Sequence, residues 1–128
     1  MLTRSALLYL ARQDKLKEFA ARFAAFRKIT ARFIAGETSG EAVAAIRELN
    51  QLGCSASFDH LNESVSSVAE TEAEVREYLN VLAKIDESHI NSNVSIKLTQ
   101  FGLDIDPELA YRNARTIVED AARRGNFV

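Results

Sequence analysis

Proline and cysteine each occur once in this chain of 128 residues, and glycine only five times. The scattered glycines and single proline leave no linker and no low-complexity tract. No internal repeat of solenoid period is present. Cys54 has no second cysteine to pair with, so an intramolecular disulfide is excluded and a reducing compartment suits the chain. No apolar run approaches the ~20 residues of a membrane-spanning helix. The glycines form no phosphate-cradling pattern of the dinucleotide-binding or Walker type. The two histidines, His60 and His89, have neither a cysteine nor each other at ligand spacing, so neither is read as a metal ligand.

What is present suits a folded domain. Apolar residues make up 47% and charged residues 27%, a globular profile rather than a disordered one. The charge is unevenly spread. Residues 1–32 carry eight Lys/Arg against two Asp/Glu, and residues 33–128 carry eight against sixteen. Such a basic segment suits nucleic acid, an anionic membrane surface or the acidic remainder of its own molecule. The plainest reading is a solvated or intramolecular face. Phe19, Phe23 and Phe26 read as core positions rather than a platform for stacked bases, so no nucleic-acid partner is expected. The opening Met1-Leu2-Thr3-Arg4, followed by Ser5 to Ala11, faintly resembles a targeting peptide. Its apolar part is short, and Arg12, Asp14, Lys15 and Lys17 follow at once, as in an amphipathic helix.

Periodicity gives an alternating pattern. Apolar spacings near three and four predict helix from residue 4 to about residue 30. Arg32 to Ala35 reads as a brief strand turning at Gly36. Thr38 and Glu41 form a capping box, Val43, Ile46, Leu49 and Leu52 an apolar stripe, and Gly53 a left-handed stop. Cys54, Ala56 and Phe58 then alternate with Ser55, Ser57 and Asp59 as a strand, with Cys54 a small buried hydrophobe. Residues 60–70 read as loop. Thr71 and Glu74 suggest a second capping box, with Val75, Tyr78, Leu79, Leu82 and Ile85 on one helical face. Asn91-Ser92-Asn93 is turn chemistry. Val94, Ile96 and Leu98 alternate with Ser95, Lys97 and Thr99 in a further strand. Asp106 and Pro107 begin a helix lined by Ala110, Ala114, Ile117, Val118 and Ala121, and Gly125 ends it. Asn126 to Val128 resembles the start of a fourth strand. Strands alternating with helices predict an α/β fold with a parallel sheet, either doubly wound or a barrel. A full barrel takes ~250 residues, about twice this length.

The polar faces of two strands carry the candidate chemistry. With Val94, Ile96 and Leu98 toward the helices, Lys97 points the other way. A lysine there is a catalytic group or one half of a structural ion pair, and periodicity does not choose between them. Asp59 holds the equivalent place near the carboxyl end of the preceding strand, where barrel active sites gather, and the two are expected to pair. Glu63 follows in the loop. By itself it reads as a solvated charge as readily as a functional one.

Three blocks carry a resemblance: Arg32-Phe33-Ile34-Ala35-Gly36-Glu37-Thr38, then Ser57-Phe58-Asp59-His60-Leu61-Asn62-Glu63, then Asn93 to Asp104, reading Asn-Val-Ser-Ile-Lys-Leu-Thr-Gln-Phe-Gly-Leu-Asp. In this order and spacing the chain resembles the bacterial single-function proline dehydrogenases, and it does so along its whole length, as their N-terminal part. The resemblance implies a partial (β/α)8 barrel, its first three to four strands, over residues 33–128, preceded by a helical segment over residues 1–32. It implies FAD-dependent oxidation of L-proline to 1-pyrroline-5-carboxylate, with electrons passed to a membrane quinone. Lys97 matches the family's active-site lysine, beside both flavin and substrate carboxylate. Glu63 matches a loop glutamate that pairs with an arginine over bound proline, and Asp59 an acidic position lining the same pocket. Asn62 stands where the family commonly has glycine. A catalytic aspartate, the carboxylate-binding arginines and most flavin contacts belong to parts of the family beyond this stretch. The isolated chain is therefore expected to be inactive, cytoplasmic or peripheral at the inner face of a membrane, and prone to self-association through an open sheet edge. Two other readings stand beside this one: a half-barrel acting only by association, and a Schiff-base lyase using Lys97.

Overall fold

A computed structural model describes residues 35–36, 38–62 and 65–128. The expected helix over residues 4–30 and the strand of residues 32–35, apart from Ala35, lie outside them. So does Glu63. Ala35 and Gly36 have no regular structure. From residue 38 onward the described residues belong to one unit, residues 37–128.

Three helices and two strands follow in the order α1 (Ser39–Gln51), β1 (Ala56–Asp59), α2 (Val68–Ser88), β2 (Ser92–Ser95), a 3₁₀ turn (Leu98–Phe101) and α3 (Pro107–Arg123). This is an α/β arrangement. Among the described residues the sheet has two strands rather than three or four, and no closed barrel is formed. The strands run parallel with Ala56 opposite Ser92, Phe58 opposite Val94 and Asp59 opposite Ser95. Asn126 to Val128 adds no strand; the Asn126 side chain instead donates to the Ser92 carbonyl at 2.9 Å.

The helix boundaries follow from their caps. Thr38 and Glu41 form the expected reciprocal box at α1. The second box is not at Thr71. Ser67 caps α2 one turn earlier, its hydroxyl accepting the Glu70 amide at 3.3 Å. Glu70 in turn accepts the Ser66 amide at 2.7 Å, which holds its carboxyl below the ordinary range. With those amides satisfied, Thr71 is buried and its hydroxyl donates to the Val68 carbonyl. Asp106 caps α3 ahead of Pro107, as expected.

Both strands are shorter than the alternating pattern suggested. Gly53, at φ 81°, swings the chain out of α1, and the Asn50 side chain then holds the Cys54 carbonyl at 2.9 Å. The ladder begins only at Ala56, and Cys54 is exposed rather than buried. Ser92 and Asn93, expected as turn, are strand, and β2 ends at Ser95. Leu98 winds into the 3₁₀ turn and is exposed instead of continuing the strand.

The core gathers Ile46, Tyr78, Val81, Leu82, Ile85, Ile90, Val94, Phe101, Ile117 and Ala121, with Ala56, Phe58 and Ile96 packed against it. Burying a large side chain such as Phe101 contributes about 1.5–3 kcal/mol. Three predicted core positions face outward instead. Leu49, Leu52 and Val118 are exposed because each helix turns only one narrow stripe inward, through Ala42 and Ile46 in α1 and through Ala110, Ile117 and Ala121 in α3. Among the described residues, the packed side chains lie on one face of the sheet. Ser57, Asp59 and Ser95 lie on the other and are exposed.

Gly102 closes the 3₁₀ turn at φ 99°, and a Cβ there would meet Leu109 at 3.0 Å and Thr71 at 3.2 Å. Gly102→Ala therefore combines a left-handed strain with a clash between two helices. We expect a loss of at least ~1 kcal/mol, lowering the thermal midpoint by several degrees. An unchanged midpoint in a calorimetric scan would show that this turn does not hold α2 and α3 together.

Candidate functional site

The carboxyl ends of β1 and β2 are joined by side chains where the ladder stops. Tyr78, completely buried on α2, places its hydroxyl between the strands. That oxygen accepts from the His60 amide at 3.3 Å, and its proton lies within reach of the Ser95 carbonyl at 3.0 Å and Gln100 Oε1 at 3.2 Å. Gln100, also completely buried, donates to the His60 carbonyl at 2.6 Å and accepts the Lys97 amide at 3.2 Å. Backbone groups that would otherwise extend the ladder are thus satisfied by one hydroxyl and one amide. Burial pushes the Tyr78 phenol above its ordinary value, and the hydrogen bond from the His60 amide works against that. The ring is fixed by edge contacts to Phe101, centroids 5.3 Å apart, and to His60 at 6.4 Å.

On the face opposite the described core the expected pair forms. Lys97 Nζ donates to Asp59 Oδ2 at 3.0 Å, with the two side chains 39% and 36% exposed. Lys97 does not lie inside a strand. It follows β2 in extended conformation, φ −118° and ψ 124°, as the residue that enters the 3₁₀ turn. A partly exposed pair of this kind contributes about 0–1 kcal/mol, so it does not organise the fold. Its geometry is imposed by the strands and by the Tyr78–Gln100 junction beneath it.

A third group adjoins. His60 Nδ1 lies 2.9 Å from Glu74 Oε2, and Asn62 Nδ2 donates to Glu74 Oε1. A carboxylate only accepts, so Nδ1 carries the proton. Glu74 is nearly buried at 6% side-chain exposure, while His60 is 38% exposed. His60, read as having no ligand role, is therefore a structural partner of α2. His89 ends α2 in the left-handed conformation, φ 50°. The described residues contain no His/Cys/Asp/Glu group arranged to hold a metal ion.

Asp59 and Lys97 are thus brought together, while Glu63 lies outside the described residues. Sequence reasoning missed Glu74, Tyr78 and Gln100 as parts of the site. Tyr78 reads as one more apolar position of its helix and Glu74 as a cap. Only Gln100, one residue past the strand pattern and followed by an aromatic and a glycine, carried a signal: a long amide where a fully exposed turn would suit any polar residue.

No family model matches the chain. Curated proteins do. The chain is 33% identical over 123 residues to proline dehydrogenase 2 of Bacillus subtilis (strain 168), which covers 96% of this chain and 40% of that protein. It is 35% identical over 118 residues to proline dehydrogenase 1 of the same strain, covering 92% and 39%. A proline dehydrogenase of Deinococcus radiodurans is 28% identical over 130 residues, covering 99% and 41%. The chain therefore spans about 40% of the length of these relatives. Over nearly all of its residues this chain is a homologue of the proline dehydrogenases, and it corresponds to about two fifths of one.

Proposed function

We propose that this chain supplies Lys97, Asp59 and Glu63 to a flavin-dependent site that oxidises L-proline to 1-pyrroline-5-carboxylate, within a (β/α)8 barrel of which residues 33–128 form part and residues 1–32 a preceding helical segment. The observation that carries this is the Lys97–Asp59 pair at the carboxyl ends of parallel strands, on the sheet face that the described helices leave bare. Barrel enzymes assemble their sites at that end. A doubly wound sheet would instead carry helices on both faces.

The residues fit the proposed ligands in chemical type. A substrate carboxylate and the polar edge of a flavin both call for a fixed cation, and Lys97 is one, partly exposed and oriented by its carboxylate neighbour. Lys97 would hold the proline carboxylate and adjoin the flavin. Asp59 would keep the ammonium in place and line the pocket. Bound FAD would supply the two-electron acceptor, and a membrane quinone would reoxidise it. A Schiff-base role for Lys97 requires a neutral amine in an apolar pocket, whereas this nitrogen sits beside a carboxylate and is open to water.

A second reading, association through the sheet, rests on its own observation. Each strand has one partner among the described residues, and Tyr111, Val118 and Phe127 are exposed at 61%, 47% and 69%. Unpaired edges and uncovered apolar side chains favour self-association. No helix among the described residues is long and apolar enough to cross a membrane. The excess of positive charge over residues 1–32 suits peripheral docking on anionic lipid, near a quinone acceptor.

Three outcomes follow. In a chimera where this chain replaces the matching residues of Bacillus subtilis proline dehydrogenase 2, proline-dependent dye reduction should appear, and Lys97→Met should lower kcat/KM by ~10²–10³-fold; full activity in the substituted chimera would sink the assignment of Lys97. The 128-residue chain with added FAD should show no such activity, and should sediment as a concentration-dependent oligomer. A monomer at every concentration would dismiss the association reading. Binding of the chain to phosphatidylserine vesicles should fall steeply between low and high salt; binding indifferent to salt and lipid charge would remove the docking role of residues 1–32.

A further inference from the structure

We propose that Glu74 is a positioning residue of the site: acting through His60 and Asn62, it fixes the chain directly after Asp59 and so holds the Asp59 carboxylate opposite Lys97. This rests on the reading of Lys97 and Asp59 as the reacting pair, and it adds a residue to which no role attaches in that reading.

Glu74 is a carboxylate nearly removed from water, which is costly unless it is partnered. Its two partners are unusual in their placement. Both belong to the first three residues after β1, and both are side chains rather than backbone. The fold has no evident need of this arrangement. The apolar core of the unit is built elsewhere on α2, from Tyr78, Val81, Leu82 and Ile85, and the helix start is already capped by Ser67. Removing Glu74 alone takes an acceptor from His60 and Asn62, but both of those side chains reach solvent and can bond water instead. What the charge does provide is a fixed point. Tyr78, one turn further along α2, takes the His60 amide, and Gln100 takes the His60 carbonyl. Together with Glu74 on Nδ1, three polar atoms of His60 are held, and Nε2 makes no hydrogen bond among the described residues. Asn62 adds a second tether two residues on. Asp59 is the next residue back, so its carboxylate can swing little.

The pair itself is too weak to define its own geometry, so loosening the tethers should free Lys97 without unfolding the chain. The test is competitive acylation of the intact 128-residue chain, read lysine by lysine by mass spectrometry. Lys84, whose ammonium donates to Ser39 and links α2 to α1, serves as the internal reference for folding. Asp59→Asn sets the reference effect of removing this carboxylate from Lys97, about two- to five-fold in labelling rate. Glu74→Met should give most of that rise, with Lys84 unchanged and the thermal midpoint lowered by no more than a few degrees. Glu74→Gln should restore the slow rate, because its Oε1 accepts from His60 while its amide donates to the Asn62 oxygen. Asn62→Gly, at an exposed position, should give a partial rise even if Glu74→Met does not fold.

A normal Lys97 rate in both Glu74→Met and Asn62→Gly, with Asp59→Asn raising it, overturns the positioning role and leaves the pair intact. A rise in Glu74→Met that Glu74→Gln fails to reverse also overturns it, since the effect would then be one of packing. If Asp59→Asn leaves Lys97 unchanged, Asp59 does not restrain Lys97, and the positioning role is overturned with that premise, while the chimera decides the site reading separately.

Discussion

Two buried polar side chains, the Tyr78 hydroxyl and the Gln100 amide, set the geometry on which the site depends. They bond backbone groups of His60, Ser95 and Lys97, one set from each strand. A parallel pair of four-residue strands has few ladder bonds of its own and would fray at its ends. The junction stops the ladder at a defined residue and satisfies the groups left over. Because both side chains come from elements packed in the core, the strand ends inherit the rigidity of the core.

The other end of the sheet is treated alike. Asn50, near the end of α1, donates to the carbonyls of Cys54 and Asn91 and accepts the Asn91 amide at 2.7 Å. Side-chain amides thus close the sheet at both ends, and the strands are held in register by contacts that lie outside them. This is why the Lys97–Asp59 distance is short although the pair is partly open to water and contributes little energy. The scaffold, rather than the pair's own attraction, sets this distance.

The stretch Ser95 to Gln100 contains both Lys97, which pairs with Asp59, and Gln100 in the buried junction beneath it. One short stretch therefore carries both a paired cation and the amide that holds its backbone.

Local chemistry by itself determined a good part of this. The Thr38 box, the Asp106–Pro107 start and the Gly53 turn depend on residues within a few positions of one another, and each stands where its sequence indicates. The facing of Asp59 and Lys97 follows from strand alternation, again a local rule. What failed was whatever needed distant partners. Thr71-Glu74 matches a cap as well as Ser67-Glu70 does, and only the arrival of His60 and Asn62 decides that Glu74 belongs elsewhere. Leu98 continues an alternating pattern, yet Gln100 and Tyr78 bend the chain away by taking its backbone bonds. Cys54 looks apolar enough for a strand, but Asn50 holds its carbonyl outside the ladder. The sequence alone determined the helix starts at Thr38 and Asp106 and the shared face of Asp59 and Lys97. Tertiary structure alone decided where the strands end and which polar side chains are buried, because those depend on hydrogen bonds between residues far apart in the chain.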